Sequence, residues 1–171
     1  MGQKEKVMND AVALAANREG KYLTFSLAGE EYGIGILNIR EIIGMLPITS
    51  VPETPAFVKG VINLRGKVIP VVDLRRRFGM PTMDYTERTC IIVVEIAGPA
   101  GTVSMGAVVD SVSEVLNIKG ADIEDTPLFG AQLNTEYILG MAKVGKGLKI
   151  LLDIEKALTS DEMESVSRAA A

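Results

Sequence analysis

Histidine and tryptophan are absent from the 171 residues, cysteine occurs once, at position 90, and aromatic residues make up 5%. Those gaps exclude Ser-His-Asp triads, Cys-His dyads, Cys/His zinc sites and disulfide frameworks together. Positive charge is in deficit: 18 Lys and Arg against 22 Asp and Glu leave −4, which argues against nucleic acid as a ligand. A membrane-length apolar run is missing too. Ile91 to Val109 carries only Glu95, but Gly98-Pro99-Ala100-Gly101 divides it into two strands and a turn. Ala11 to Ala16 is too short for a signal-peptide core. The expectation is a soluble, cytoplasmic protein with no membrane insertion and no cofactor.

What is present is β-rich. Leu23, Phe25 and Leu27 alternate with Thr24 and Ser26, the period of a half-buried strand. Short apolar stretches follow at 39–43, 48–51, 57–64, 68–74, 90–96 and 102–109, most of them set off by Gly, Pro, Asn or Asp. Many short strands at this spacing predict an all-β sandwich or barrel. Residues 1–20 read as a polar, Ala-rich mobile tail. Thr159-Ser160-Asp161-Glu162 has capping-box spacing, so residues 160–171 read as a short C-terminal helix.

The chain also repeats itself. Laid without a gap on Tyr137 to Leu158, Phe57 to Phe78 matches Gly60 with Gly140 and Asp73 with Asp153, and apolar residues pair at ten further positions. Val51 to Pro55 echoes Ile123 to Pro127, Ile39 to Ile43 echoes Val112 to Leu116, and Leu27-Ala28-Gly29 echoes Ile96-Ala97-Gly98. Two halves, roughly 21–84 and 85–159, thus have the same order of strands. Each is too small for a sizeable core of its own, so the halves are expected to share apolar surface. In each, the longest pairing is a hairpin: Val58 to Leu74 through Arg65-Gly66, and Ile138 to Ile154 through Gly145-Lys146-Gly147.

Several motifs carry no chemistry. Gly140 to Lys146 has most of a phosphate-loop pattern, but Gly147 lacks the hydroxyl that would hold Mg²⁺, and strands flank it on both sides. Gly33-x-Gly35 lacks the third glycine of a dinucleotide fingerprint. Cys90 is read as a buried, inert thiol. Arg75-Arg76-Arg77 is read as a solvated rim, with a partner-binding basic patch as the alternative. What remains is a non-enzymatic β-rich interaction module.

The segments Glu30-Glu31-Tyr32-Gly33-Ile34, Ile39-Arg40-Glu41-Ile42, Thr54 to Gly66 with its Asn63-Leu64-Arg65-Gly66 block, and Pro70-Val71-Val72-Asp73-Leu74 resemble the CheW family of bacterial and archaeal chemotaxis coupling proteins. Val109 to Val112 and Leu151 to Ile154 fit its second half. The resemblance spans about residues 21–159. It implies two SH3-like five-stranded β-barrel subdomains related by pseudo-two-fold duplication, and leaves open which barrel takes the first strand. It further implies an adaptor that couples chemoreceptors (methyl-accepting chemotaxis proteins) to the histidine kinase CheA, recruited to receptor arrays at the inner face of the membrane. The implied partners are the kinase's regulatory domain and the receptors' cytoplasmic hairpin tips. Ile39, Glu41, Ile42, Gly60, Asn63, Arg65, Thr89 and Ile91 are the positions it marks for receptor or kinase contact; for Arg65 the alternative is a salt bridge to a nearby Glu. With twelve residues after Thr159, the chain reads as a stand-alone coupler. The runner-up is a small ligand-binding or enzymatic β-barrel unrelated to chemotaxis.

Overall fold

The computed structural model describes residues 18–126 and 136–158. In chain order the strands are β1 (Gly20–Leu27), β2 (Glu30–Gly35), β3 (Ile39–Gly44), β4 (Val58–Leu64), β5 (Lys67–Asp73), β6 (Cys90–Gly98), β7 (Gly101–Val109), β8 (Ser111–Ile118), β9 (Ile123–Glu124), β10 (Ile138–Val144) and β11 (Gly147–Leu152). Two one-turn helices close the repeated hairpins, α1 (Leu74–Arg77) and α2 (Ile154–Leu158). The second hairpin therefore stops at Leu152, and Ile154, expected to be strand, begins a helix. The expected C-terminal helix at 160–171 and residues 1–17 of the expected tail lie outside the described residues.

The strands form two sheets. One runs β3-β6-β7-β5-β4, the other β8-β1-β2-β11-β10-β9. Replacing each strand of the first by its repeat partner reproduces the second in the same order, with the isolated Thr49–Val61 bridge in the place of β9. Register agrees residue by residue: Val71 lies beside Gly106 in a parallel pair, and Leu151 beside Gly33 in the other. This is the pseudo-two-fold, two-barrel architecture expected. One repeat register differs: Thr49, not Pro52, occupies the place of Glu124, because Val61 pairs with Thr49 and Met141 with Glu124.

The sheets do not part the chain between residues 84 and 85. The hairpin β1–β2 leaves its own half and lies between β8 and β11, while β6–β7 lies between β3 and β5. A whole hairpin, rather than a single strand, is exchanged in each direction.

This exchange explains why β6 is apolar at successive positions. Ile91 and Val93 point into the first barrel with Ile62, Ile69 and Val71, whereas Ile92, Val94 and Ile96 join the large core shared between the barrels. A strand buried on both faces loses the polar half of its alternation. The same shared core takes Phe25 and Ile34 from the β1–β2 hairpin, Val72 and Leu74 from the first half, and Leu152 and Leu158 from the second. Phe25, Tyr32, Phe78 and Tyr137 stack in series across it, at centroid distances of 5.9, 6.2 and 4.9 Å.

Two of the three arginines after β5, Arg75 and Arg77, are structural, which corrects the reading of a solvated rim for those two, while Arg76 is exposed. Arg75 donates from Nε and Nη2 to the two oxygens of Asp110, at 2.7 and 2.5 Å, and Asp110 also accepts the amide of Ala28 in the β1–β2 turn. Arg77 donates to the carbonyl of Ala157 at 2.8 Å and lies over the rings of Phe57 and Tyr137. Arg76 donates to the carbonyl of Ala56. Planar guanidinium groups suit such bidentate and stacked positions better than ammonium groups do. Cys90 is half-buried, and burial pushes its thiol pKa up, in keeping with an inert thiol.

Candidate functional site

The β4–β5 hairpin turns on Arg65 and Gly66, whose φ angles of 52° and 85° are both left-handed, the pattern of a type I′ turn. Asn63 sets it by accepting the Gly66 amide on Oδ1 at 2.8 Å. So held, Arg65 reaches β3 and grips Glu41 with both Nη atoms, at 2.7 and 2.6 Å. That hydrogen-bonded contact holds the Glu41 carboxyl below its usual pKa and raises that of Arg65. Beside Glu41, Ile42 is 44% exposed, and Val68, opposite Asn63 in the hairpin, is exposed as well.

Of the eight expected contact residues, Glu41 and Arg65 are brought together by this ion pair, while Ile42 on β3 and Asn63 on β4 are exposed. Ile39 begins β3 and packs half-buried against the shared core. Gly60, Thr89 and Ile91 are buried. Gly60 sits at a bulge with φ 144°, and a Cβ there would lie 2.0 Å from the Thr49 carbonyl oxygen. Thr89 is buried, and its hydroxyl accepts the Thr86 amide. Ile91 is wholly inside the first barrel.

Sequence reasoning passed over Val68, whose signal is an apolar side chain at an outward position of a two-period strand. The duplication repeats the feature. Val115 and Leu148, the partners of Ile42 and Val68, are exposed on the second barrel. The polar residues around them differ, since Lys143 stands in the place of Asn63 and pairs with Glu124.

Among the described residues, no group of three or more His, Cys, Asp or Glu side chains is placed to hold a metal ion. No helix there is long and apolar enough to cross a membrane. The fold and this surface define a class: a duplicated two-barrel module that presents a turn-borne ion pair and exposed apolar residues from a rigid sheet. The chain belongs to the CheW family, since the profile of the CheW-like domain matches residues 21–162. It is 43% identical over 150 residues to the chemotaxis protein CheW of Klebsiella aerogenes, with 88% of each chain covered. It is 30% identical to the protein FrzA of Myxococcus xanthus, covering 92% of this chain and 97% of that one. The crystal structure of the scaffolding protein TtCheW from Thermoanaerobacter tengcongensis superposes with a TM-score of 0.74 at 37% identity, covering 85% and 97% of the two chains.

Proposed function

We propose that this chain is a non-enzymatic adaptor that couples chemoreceptors to the histidine kinase CheA in arrays at the inner face of the membrane. The observation that carries the reading is the Glu41–Arg65 pair, held on a strained turn beside the exposed Ile42. A rigid guanidinium fork and an apolar neighbour on an inflexible sheet suit recognition of a partner helix bearing carboxylates or carbonyl oxygens. Glu41, Ile42, Asn63 and Arg65 make direct contact in this reading. Ile39, Gly60, Thr89 and Ile91 act by shaping the strands below. Membership of a family whose relatives include chemotaxis and scaffolding proteins supports the same role.

The test is kinase activation reconstituted from CheA, a receptor cytoplasmic fragment and this protein. Autophosphorylation that rises only when all three are present supports coupling; a rate indifferent to this protein refutes it. Labelled phosphate is expected to remain on the kinase, because His is absent and no nucleophile–base pair is evident. Stoichiometric label on this chain would overturn the adaptor role. Binding of a small molecule with no effect on the kinase would favour the ligand-binding barrel instead.

A further inference from the structure

The loop after α1 rests against a cation. Arg75 directs Nε and Nη2 to the two oxygens of Asp110, where the chain crosses from β7 to β8. Its Nη1 donates to the Pro81 carbonyl at 3.0 Å, and Nη2 also donates to the sulfur of Met83 at 3.6 Å. The segment that carries Pro81 and Met83 is thus tied to the junction of the two barrels through one side chain. Of these ties the one to Met83 is the weaker, because a thioether is a poor acceptor. A further hold lies two residues along, where the ammonium of Lys59 on β4 sits 5.4 Å from the centroid of the Tyr85 ring.

Among the described methionines, Met83 is the exposed one. It stands 52% exposed, whereas Met105 is buried and Met45, Met80 and Met141 are partly buried. It lines a recess of about 250 Å³ together with Lys59, Arg76, Thr82 and Asp84. That recess leaves room beside the side chain for a small oxidant and for one added oxygen. A methionine that only fills a core hides its sulfur. This one sets its sulfur against a guanidinium and leaves its surface in water.

We propose that Met83 is a site of reversible oxidation by hydroperoxides, and that Arg75 holds the sulfoxide. The sulfur lone pair attacks one peroxide oxygen. An S–O bond forms as the O–O bond breaks, and the departing oxygen takes a proton to leave as water or an alcohol. Sulfur gives up two electrons and the peroxide gains them. The guanidinium favours the step, since negative charge grows on the departing oxygen beside it. It favours the product as well: a sulfoxide oxygen is polar where the thioether was not, so the weakest tie of the loop becomes a charge-assisted hydrogen bond. Oxidation that would disrupt a packed core here tightens a surface loop onto the barrel junction. The new sulfur is a stereocentre, and the fixed Nη2 selects the epimer whose oxygen points at it. Methionine sulfoxide reductases, one for each epimer, restore the thioether.

In the experiment the full chain is treated with dilute hydrogen peroxide, and the sulfoxide at each methionine is quantified by peptide mass spectrometry. Met83 is expected to oxidise roughly tenfold faster than the buried Met105, and ahead of Met45, Met80 and Met141. One epimer of its sulfoxide should exceed the other by roughly fivefold, as read with the two epimer-specific reductases on the released peptide. The chain oxidised in concentrated urea should give both epimers in similar amounts. Hydrogen exchange at the Asp84 and Tyr85 amides should slow by roughly threefold after oxidation of the natural chain, and not in Met83→Leu treated alike. Met83→Gln, which sets an amide oxygen where the sulfoxide oxygen would stand, should slow the same exchange with no peroxide. Equal epimers from the folded chain, oxidation of Met83 no faster than of Met105, or exchange at Asp84 and Tyr85 that is unchanged or quicker after oxidation would each overturn the proposal.

Discussion

Asp73 and Asp153, eighty residues apart, hold the two halves of the molecule in the same way. Each donates its backbone amide at 2.8 Å to an aromatic residue's carbonyl, Phe57 for one and Tyr137 for the other. Each then turns its carboxylate onto the helix that follows: Asp73 accepts the Arg75 amide at 3.0 Å, and Asp153 the Lys156 amide at 3.2 Å. The one acidic identity in the repeated hairpins is thus a helix cap used twice.

Replacing either aspartate by alanine removes the cap and leaves the backbone bond in place. Each change should cost about 0.5–2 kcal/mol, read as a lower midpoint in urea with an unchanged slope. Asp73→Ala should cost more, because Asp73 is buried and also lies 3.9 Å from Arg76.

Arg65→Glu should leave thermal unfolding nearly unchanged, since the Arg65 side chain is largely exposed. Co-sedimentation with receptor membranes should fall by roughly tenfold or more, the usual effect of reversing a charge inside an interface. Kinase-domain binding should suffer less. The charge-swapped double variant Glu41→Arg/Arg65→Glu separates two roles. Recovered receptor binding would show that the pair matters for its geometry, and continued loss that the guanidinium itself meets the receptor.

Acid should loosen the junction between the barrels. The hydrogen bonds from Arg75, aided by the Ala28 amide, hold the Asp110 carboxyl below its ordinary pKa. A carboxyl depressed on folding contributes stability above its unfolded value of about 4, and loses it as pH falls through the folded value. Asp110→Asn should therefore lower the melting temperature at pH 7 and flatten its decline toward pH 2. The loss at pH 7, about 1–3 kcal/mol, reflects a donor set left without its acceptor. An unaltered pH profile in calorimetry would count against this account.

Gly60→Ala and Gly140→Ala make an internal comparison. At Gly60 an added Cβ would meet the Thr49 carbonyl oxygen at 2.0 Å, and φ is 144°. At Gly140 the nearest atom, the Glu124 carbonyl oxygen, is 2.7 Å away. Both substitutions should destabilise, Gly60→Ala by more than about 3 kcal/mol. Any receptor-binding defect at Gly60 should then accompany a lower unfolding midpoint, which a contact residue such as Arg65 would not show.

The duplication was legible in the sequence because it rests on glycine, aspartate and the alternation of apolar residues, each of which has a local cause. The hairpin turn at Arg65-Gly66 was legible for the same reason. The exchange of hairpins was not. It depends on the parallel pairs β2–β11 and β5–β7, which join residues far apart and leave no trace in local spacing. The roles of Arg75 and Arg77 were hidden likewise, since their partners Asp110 and Ala157 lie 35 and 80 residues away. Ile91 resembled its neighbours in the continuous apolar run of β6, where the pattern alone does not say which residue faces which core. Glu41 and Arg65 were each singled out as partner-binding residues. A salt bridge from Arg65 to a nearby Glu was the alternative reading, and that the partner is Glu41 needed the barrel to close.

The exchanged hairpins also bear on how the chain emerges from the ribosome. β1–β2 is made first, yet β11, the strand it pairs with in parallel, ends at Leu152. For nearly the whole of synthesis one edge of that hairpin has no neighbour, and its apolar face, with Phe25 and Ile34, has no complete core to enter. Long-range pairing of this kind is slow and leaves strand edges exposed to other chains. A nascent chain stalled before β11 should accordingly be held by chaperones, whereas one released past Leu158 should close both barrels in a single cooperative step.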